Sequence, residues 1–211
     1  ETLPLTRLAA QAGADAALVV TPHYYNPKMT ADALVKHYWA VADASTIPIL
    51  IYNVPKFTNV NMSAAGSARA AHHPNIIGVK DTSGNITQLA DTVRLAGADL
   101  QVLAGSAGFL FAGLVVGVVG GILALSNVAP MQAIDLYRLH REGQWDEAAV
   151  LQRRVIPANT AITAEFGIAG LKAAMDMVGY YGGPVRSPLL ELGEEEWQTP
   201  FELVALGGIL G

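Results

Sequence analysis

Lys80 is the one charge at the end of the apolar run Asn75-Ile76-Ile77-Gly78-Val79-Lys80, and Asp81-Thr82-Ser83-Gly84 follows it. An amine leaving a buried strand is partly stripped of water. That lowers its pKa and leaves a neutral fraction able to attack a carbonyl carbon, as Schiff-base chemistry requires. A strand-end lysine can equally snorkel to solvent or pair with Asp81, and the run alone leaves both open. Tyr52 closes the preceding apolar run, Pro48-Ile49-Leu50-Ile51-Tyr52-Asn53. Its hydroxyl can relay protons between water, a carbinolamine and a substrate hydroxyl. The competing role is a core tyrosine with its hydroxyl satisfied at the rim. Gly105-Ser106 offers backbone amides and a hydroxyl to a carboxylate or phosphate, or is an ordinary turn capped by Ser106.

Other polar residues point elsewhere. Tyr24 and Tyr25, before Asn26-Pro27, read as a packing or interface pair. His23, His37, His72, His73 and His140 share no ligand spacing, so no metal is expected; His72-His73 closes a helix, where a cation complements the dipole. The acidic run Glu194-Glu195-Glu196 reads as a solvated helix start. The net charge of −5, without a Lys/Arg cluster, gives no footprint for nucleic acid. The absence of cysteine excludes thiolate catalysis and a disulfide scaffold.

These residues need a frame, and the chain supplies an alternating one. Apolar strands are predicted at 16–20, 48–53, 76–80, 100–104 and 120–125. Helices are predicted at 3–13, 31–44, 63–72, 86–96 and 107–117, with Thr30 and Ser63 as caps. Five β-α repeats predict a parallel sheet with crossover helices. Polar residues stand at the carboxyl end of every strand, as they do where barrel sites are assembled. An open doubly wound sheet remains the other arrangement, although no G-x-G-x-x-G or P-loop supports nucleotide binding. After Pro130 the alternation stops and helices follow at about 131–142, 145–160 and 165–178. The expected organisation is therefore 1–130 as the strand-bearing part and 131–211 as a helical extension packed on the same domain. The uncharged stretch 103–125 is long enough to span a bilayer. Its glycines cut it into strand, helix and strand, and no Lys/Arg flank or aromatic belt marks it, so no membrane span is expected.

Three motifs taken together are more specific than any alone: Thr21-Pro22-His23-Tyr24-Tyr25-Asn26-Pro27, Ile51-Tyr52-Asn53-Val54-Pro55 and Gly78-Val79-Lys80-Asp81-Thr82-Ser83-Gly84. With them the chain resembles the dihydrodipicolinate synthase / N-acetylneuraminate lyase superfamily of class I aldolases. Pro74–Asp81, Gln101–Phe109, Phe166–Lys172 and Gly179–Pro188 bring the likeness closest to the 4-hydroxy-2-oxoglutarate aldolase branch. The resemblance implies an α/β fold, a (β/α)8 TIM barrel with a C-terminal helical extension, assembled as a homotetramer, a dimer of dimers. It implies that Lys80 forms the Schiff base with pyruvate or a 2-oxo acid, that Tyr52 shuttles protons, and that Tyr25 approaches a neighbouring subunit's site. Thr82, Gly105, Ser106, Lys56 and Asn53 are the candidate substrate-binding residues. No metal or organic cofactor is implied.

Two departures from the family pattern shape the expected function. The chain opens at Glu1 within a helical pattern. The family's glycine-rich turn with paired hydroxyl or amide residues is expected ahead of it, so the chain should hold about five of the eight β-α units. Loop 56–59 carries Lys56 where the synthase branch has an arginine, replacing a bidentate fork by a point charge. The main expectation is a lyase cleaving 4-hydroxy-2-oxoglutarate, or a related 2-oxo-3-deoxy acid, to pyruvate and an aldehyde such as glyoxylate. The runner-up is dihydrodipicolinate synthase, condensing pyruvate with aspartate semialdehyde. An alternative of another class is an inactive truncated barrel acting as a binding or regulatory subunit. The expected compartment is cytoplasmic or mitochondrial, with no targeting segment visible.

Overall fold

The computed structural model describes residues 1–193 and residue 196, so most of the expected acidic helix start lies outside the described residues. The elements run α1 (Thr2–Gln11), β1 (Ala17–Val20), α2 (Ala31–Asp43), β2 (Ile49–Asn53), α3 (Pro55–Thr58), α4 (Ala64–Ala70), β3 (Ile76–Asp81), α5 (Ile86–Ala96), β4 (Gln101–Ala104), α6 (Leu110–Val115) and β5 (Gly120–Gly121). Three helices follow, α7 (Pro130–Arg141), α8 (Trp145–Thr160) and α9 (Gly167–Met177), with one π-helical turn at Ala161–Glu165. The chain divides into two compact units, Glu1–Gly105 with Val115–Gly121, and Ser106–Leu114 with the described residues from Ile122 onward.

The first unit is built on a parallel sheet in the order β1-β2-β3-β4-β5. Spatial order follows chain order with no reversal, which is the arrangement of an arc of a β/α barrel and not of a doubly wound sheet. Side chains alternate along each strand. Val19, Ile49, Ile51, Val79 and Val102 fall on one face and are buried, while Leu18, Val20, Tyr52 and Lys80 fall on the other and keep solvent contact. Burying each large aliphatic side chain on the covered face contributes roughly 1.5–3 kcal/mol. Short polar residues start the covering helices. The Thr30 hydroxyl accepts from Ala33 N at α2, Ser63 from Gly66 N at α4, and the Asn85 side chain from Gln88 N at α5. Trp39 of α2 donates its indole N–H to the Ala70 carbonyl of α4 at 3.1 Å.

The second unit is helical. Gln152 of α8, 8 % exposed, donates to the Ala107 carbonyl and accepts from Phe111 N. Trp145 stacks on His140 with ring centroids 6.4 Å apart. Gly182 lies against the backbone of Lys172, where a Cβ would have no room. The Lys172 amine donates to the Gly182 carbonyl, and Asp176 accepts from Gly182 N. Among the described residues no helix is long and apolar enough to cross a membrane.

Candidate active site

β2 and β3 place Tyr52 directly opposite Lys80. Both side chains project from the same face, and the lysine Nζ lies 4.2 Å from the centroid of the tyrosine ring. Two effects oppose each other at the amine. Burial disfavours the ammonium, while the ring face favours it. The Lys80 pKa is lowered from the ordinary lysine value by burial. Lys80 is only partly buried, so a carbonyl compound can reach it.

The next residue on each strand faces the other way. Asn53 is fully buried and Asp81 is 4 % exposed. They too are register partners, and Asn53 Nδ2 donates to Asp81 Oδ2 at 2.8 Å. The same oxygen accepts from Gln88 Nε2 at 3.0 Å, and Asp81 Oδ1 accepts from Ser83 N at 2.7 Å. Asn53 also donates to Asn61 Oδ1 and accepts from Met62 N. Asn53 is thus held in a framework behind the sheet and is not turned to the Lys80 face. Gln88 and Asn61 escape sequence inspection because their partners are distant in the chain. The one local signal is Asn85, whose capping of α5 fixes where Gln88 falls. Among the described residues no ion pair joins Lys80 to Asp81.

The remaining candidates are distributed around the carboxyl ends of the strands. Thr82 follows Lys80 by two and shares its face by alternation. Its buried hydroxyl has no hydrogen-bond partner among the described residues. Gly105 donates its N–H to the Asp81 carbonyl at 2.7 Å, and a Cβ there would collide with the Thr82 hydroxyl. Tyr25 is 68 % exposed and packs edge-to-face on Tyr24, and its loop is tied to the one after β2 by Asn26 Nδ2 donating to the Asn59 carbonyl. Lys56 is exposed in the helical turn α3, 5.7 Å from the centroid of Phe57. Ser106 belongs to the second unit, where its hydroxyl accepts from Gly108 N and from Asn159 Nδ2. His73 meets Asp43 at 3.0 Å on the surface.

The site's defining geometry is a lysine amine partly desolvated at the carboxyl rim of consecutive parallel strands, against a tyrosine from the neighbouring strand, on an arc of a β/α barrel. The chain matches the model of the Dihydrodipicolinate synthetase family over residues 1–205 and belongs to that family. It is 39 % identical over 194 residues to a 4-hydroxy-tetrahydrodipicolinate synthase of Acidiphilium cryptum, covering 92 % of this chain and 66 % of the relative. The dihydrodipicolinate synthase of Thermotoga maritima superposes with a TM-score of 0.91 at 30 % identity, over 99 % of this chain and 71 % of the other. A prophage protein of the dihydrodipicolinic acid synthase family from E. coli K12, solved with pyruvate, gives 0.88 at 28 % identity, over 98 % and 71 %. The fold is a partial (β/α)8 barrel with C-terminal helices. The chain spans about two thirds of the length of the relatives it matches. The relatives carry synthase names, which favours the synthase branch over the 4-hydroxy-2-oxoglutarate aldolase branch expected from the sequence.

Proposed function

We propose that this chain carries the imine-forming centre of a pyruvate-dependent class I lyase, and that its reaction is condensation of pyruvate with an aldehyde of the aspartate semialdehyde type. The observation that carries the proposal is the Lys80 amine, half-buried, lowered in pKa by burial and seated over Tyr52. The neutral Nζ attacks the ketone carbon of pyruvate and the carbonyl oxygen takes a proton, giving a carbinolamine. Loss of water leaves a cationic iminium, and Tyr52 hands protons in and out at these two steps. The iminium withdraws electrons, so the pyruvate methyl loses a proton to form an enamine. The enamine carbon then attacks the aldehyde carbon, the aldehyde oxygen takes a proton, and water adds to the re-formed iminium to release the oxo acid and free Lys80. The unpartnered Thr82 hydroxyl, two residues on from Lys80 on the same face, can hydrogen-bond the bound oxo acid, whereas the Gly105 N–H is already taken by the Asp81 carbonyl. The assembly proposed with this reading is a dimer of dimers, supported by the exposed Tyr24–Tyr25 pair.

The test is borohydride reduction in the presence of pyruvate, on the protein as its gene encodes it. One reduced pyruvate adduct on Lys80 is expected in peptide mass spectra. Label on Lys56 or Lys172 instead, or no label, would overturn the proposal. A second reading, cleavage of 4-hydroxy-2-oxoglutarate, is favoured by Lys56 standing where a synthase has an arginine. A higher kcat/KM for that cleavage than for condensation with aspartate semialdehyde would select it.

A further inference from the structure

Asp81 is a buried carboxylate that the proposed reaction does not use. Buried carboxylates ordinarily lie against a cation or a metal. Here the carboxylate accepts from neutral amides: Ser83 N at 2.7 Å, Asn53 Nδ2 at 2.8 Å and Gln88 Nε2 at 3.0 Å. Those donors come from the turn after β3, the end of β2 and the first turn of α5. The Asp81 carbonyl additionally accepts from Gly105 N after β4. One residue therefore gathers the ends of three consecutive strands and the start of a helix, immediately after the lysine that would do the chemistry.

We infer that Asp81 is a positioning residue for Lys80, fixing the Tyr52–Lys80 pair from the far side of the sheet through its hydrogen bonds to Asn53 and Gln88. The inference rests on the function proposed above. Its geometry follows from two adjacent register pairs, Tyr52 with Lys80 and Asn53 with Asp81. Because consecutive side chains face opposite ways, a bond between the second pair sets the lateral spacing and height of the first. Asn53 is itself anchored to Asn61 and Met62, and Gln88 to Asn61, so the pair is referred to the loop after β2 as well. Asp81 cannot serve as base or counter-ion on the Lys80 face, since it lies on the other face with both oxygens engaged. The carboxylate matters because it only accepts. An amide in its place turns an NH2 toward at least one of three donors.

The test compares rates of imine trapping by borohydride at saturating pyruvate, together with the pyruvate concentration giving half-saturation and the melting temperature. All rates are taken well below the melting temperature of the least stable protein. Asp81→Asn is expected to fold and to trap at least tenfold more slowly at saturation, with half-saturation changed less, since misplacement of a reacting group by about 1 Å can cost on the order of 10²-fold. Gln88→Met, which removes one donor at the rim, is expected to show a smaller loss of the same kind. A folded Asp81→Asn protein with the wild-type saturating rate overturns the inference, whatever its melting temperature, because a merely stabilising network would move only the latter. If Asp81→Asn does not fold, a wild-type saturating rate in Gln88→Met overturns it, and a slowed one upholds it. Absence of label at Lys80 in the wild-type protein is a different outcome: it removes the proposed function itself, and the inference with it.

Discussion

An amine is a nucleophile only while it is unprotonated, so under the proposed function what the fold does to Lys80 sets the pH range in which it can form an imine. Burial lowers its pKa below the ordinary 10.5. The rate of pyruvate imine trapping is therefore expected to rise with pH and level off short of 10.5; a rise continuing through that value would show an unperturbed lysine. The same shift has a stability consequence of definite sign. Between the folded and unfolded pKa values the unfolded chain holds a proton that the folded one lacks, so stability rises with pH across that window. Lys80→Met removes the buried ammonium and should raise the melting temperature at pH 7, with the advantage shrinking as pH approaches 10. An advantage that grows with pH would reverse the sign. Tyr52→Phe keeps the ring that seats Lys80 and deletes only the hydroxyl. Turnover should fall by about 10²- to 10⁴-fold, the range of a positioned acid–base group, while urea titration should show a loss of only about 1 kcal/mol. Lys80 and Tyr52 were legible because each is polar at the end of an apolar run. Asp81 was visible as a neighbour of Lys80 but not as a framework residue, because Asn53 and Gln88 meet it only once β2, β3 and α5 are assembled.

At the level of elements, the turn after β4 shows how closely the strand ends are fitted. Gly105 is held by Asp81 and lies against Thr82 with no space for a Cβ. Gly105→Ala should destabilise by about 1–3 kcal/mol, the usual cost of overpacking. Thr82→Ala in the same chain should recover part of that loss in a double-mutant cycle. Strict additivity of the two changes would show that they do not meet. Most elements were readable from apolar periodicity and caps, and the misses have local causes. The strand predicted over 120–125 is only Gly120–Gly121, because β4 ends at Ala104 and offers two partners, Leu103 and Ala104. The helix predicted over 107–117 begins as a 3-10 turn and α6 stops at Val115, with Gly117 at a φ of +101° just beyond. Pro55–Thr58, expected as loop, forms a single helical turn led by a proline at its first position. The π-helical turn at Ala161–Glu165 has no signature in residue type that distinguishes it from helix.

For the molecule as a whole, the sheet order decided what the residues had left open. A run of β-α repeats fits a doubly wound sheet and a barrel equally, and only the unreversed order separates them. Among the described residues β1 pairs only with β2, and β5 only with β4, while Leu18 and Val20 are about two-fifths exposed on the face that carries Lys80. Unpaired strand edges beside apolar surface favour association. The 211-residue chain on its own is expected to bind an apolar-surface dye and to sediment as more than one copy, with Leu18→Lys reducing both. A dye-free monomer would show that this face is closed to partners. The placement of the tryptophans gives the molecule an optical consequence. Trp39 bridges α2 and α4 in the first unit, and Trp145 lies on His140 in the second. With Trp197 changed to Phe, each remaining indole can be retained singly, so that its emission reports the melting of one unit alone. Coincident midpoints from the two proteins would mark a single cooperative transition, and separated ones would assign a melting temperature to each half.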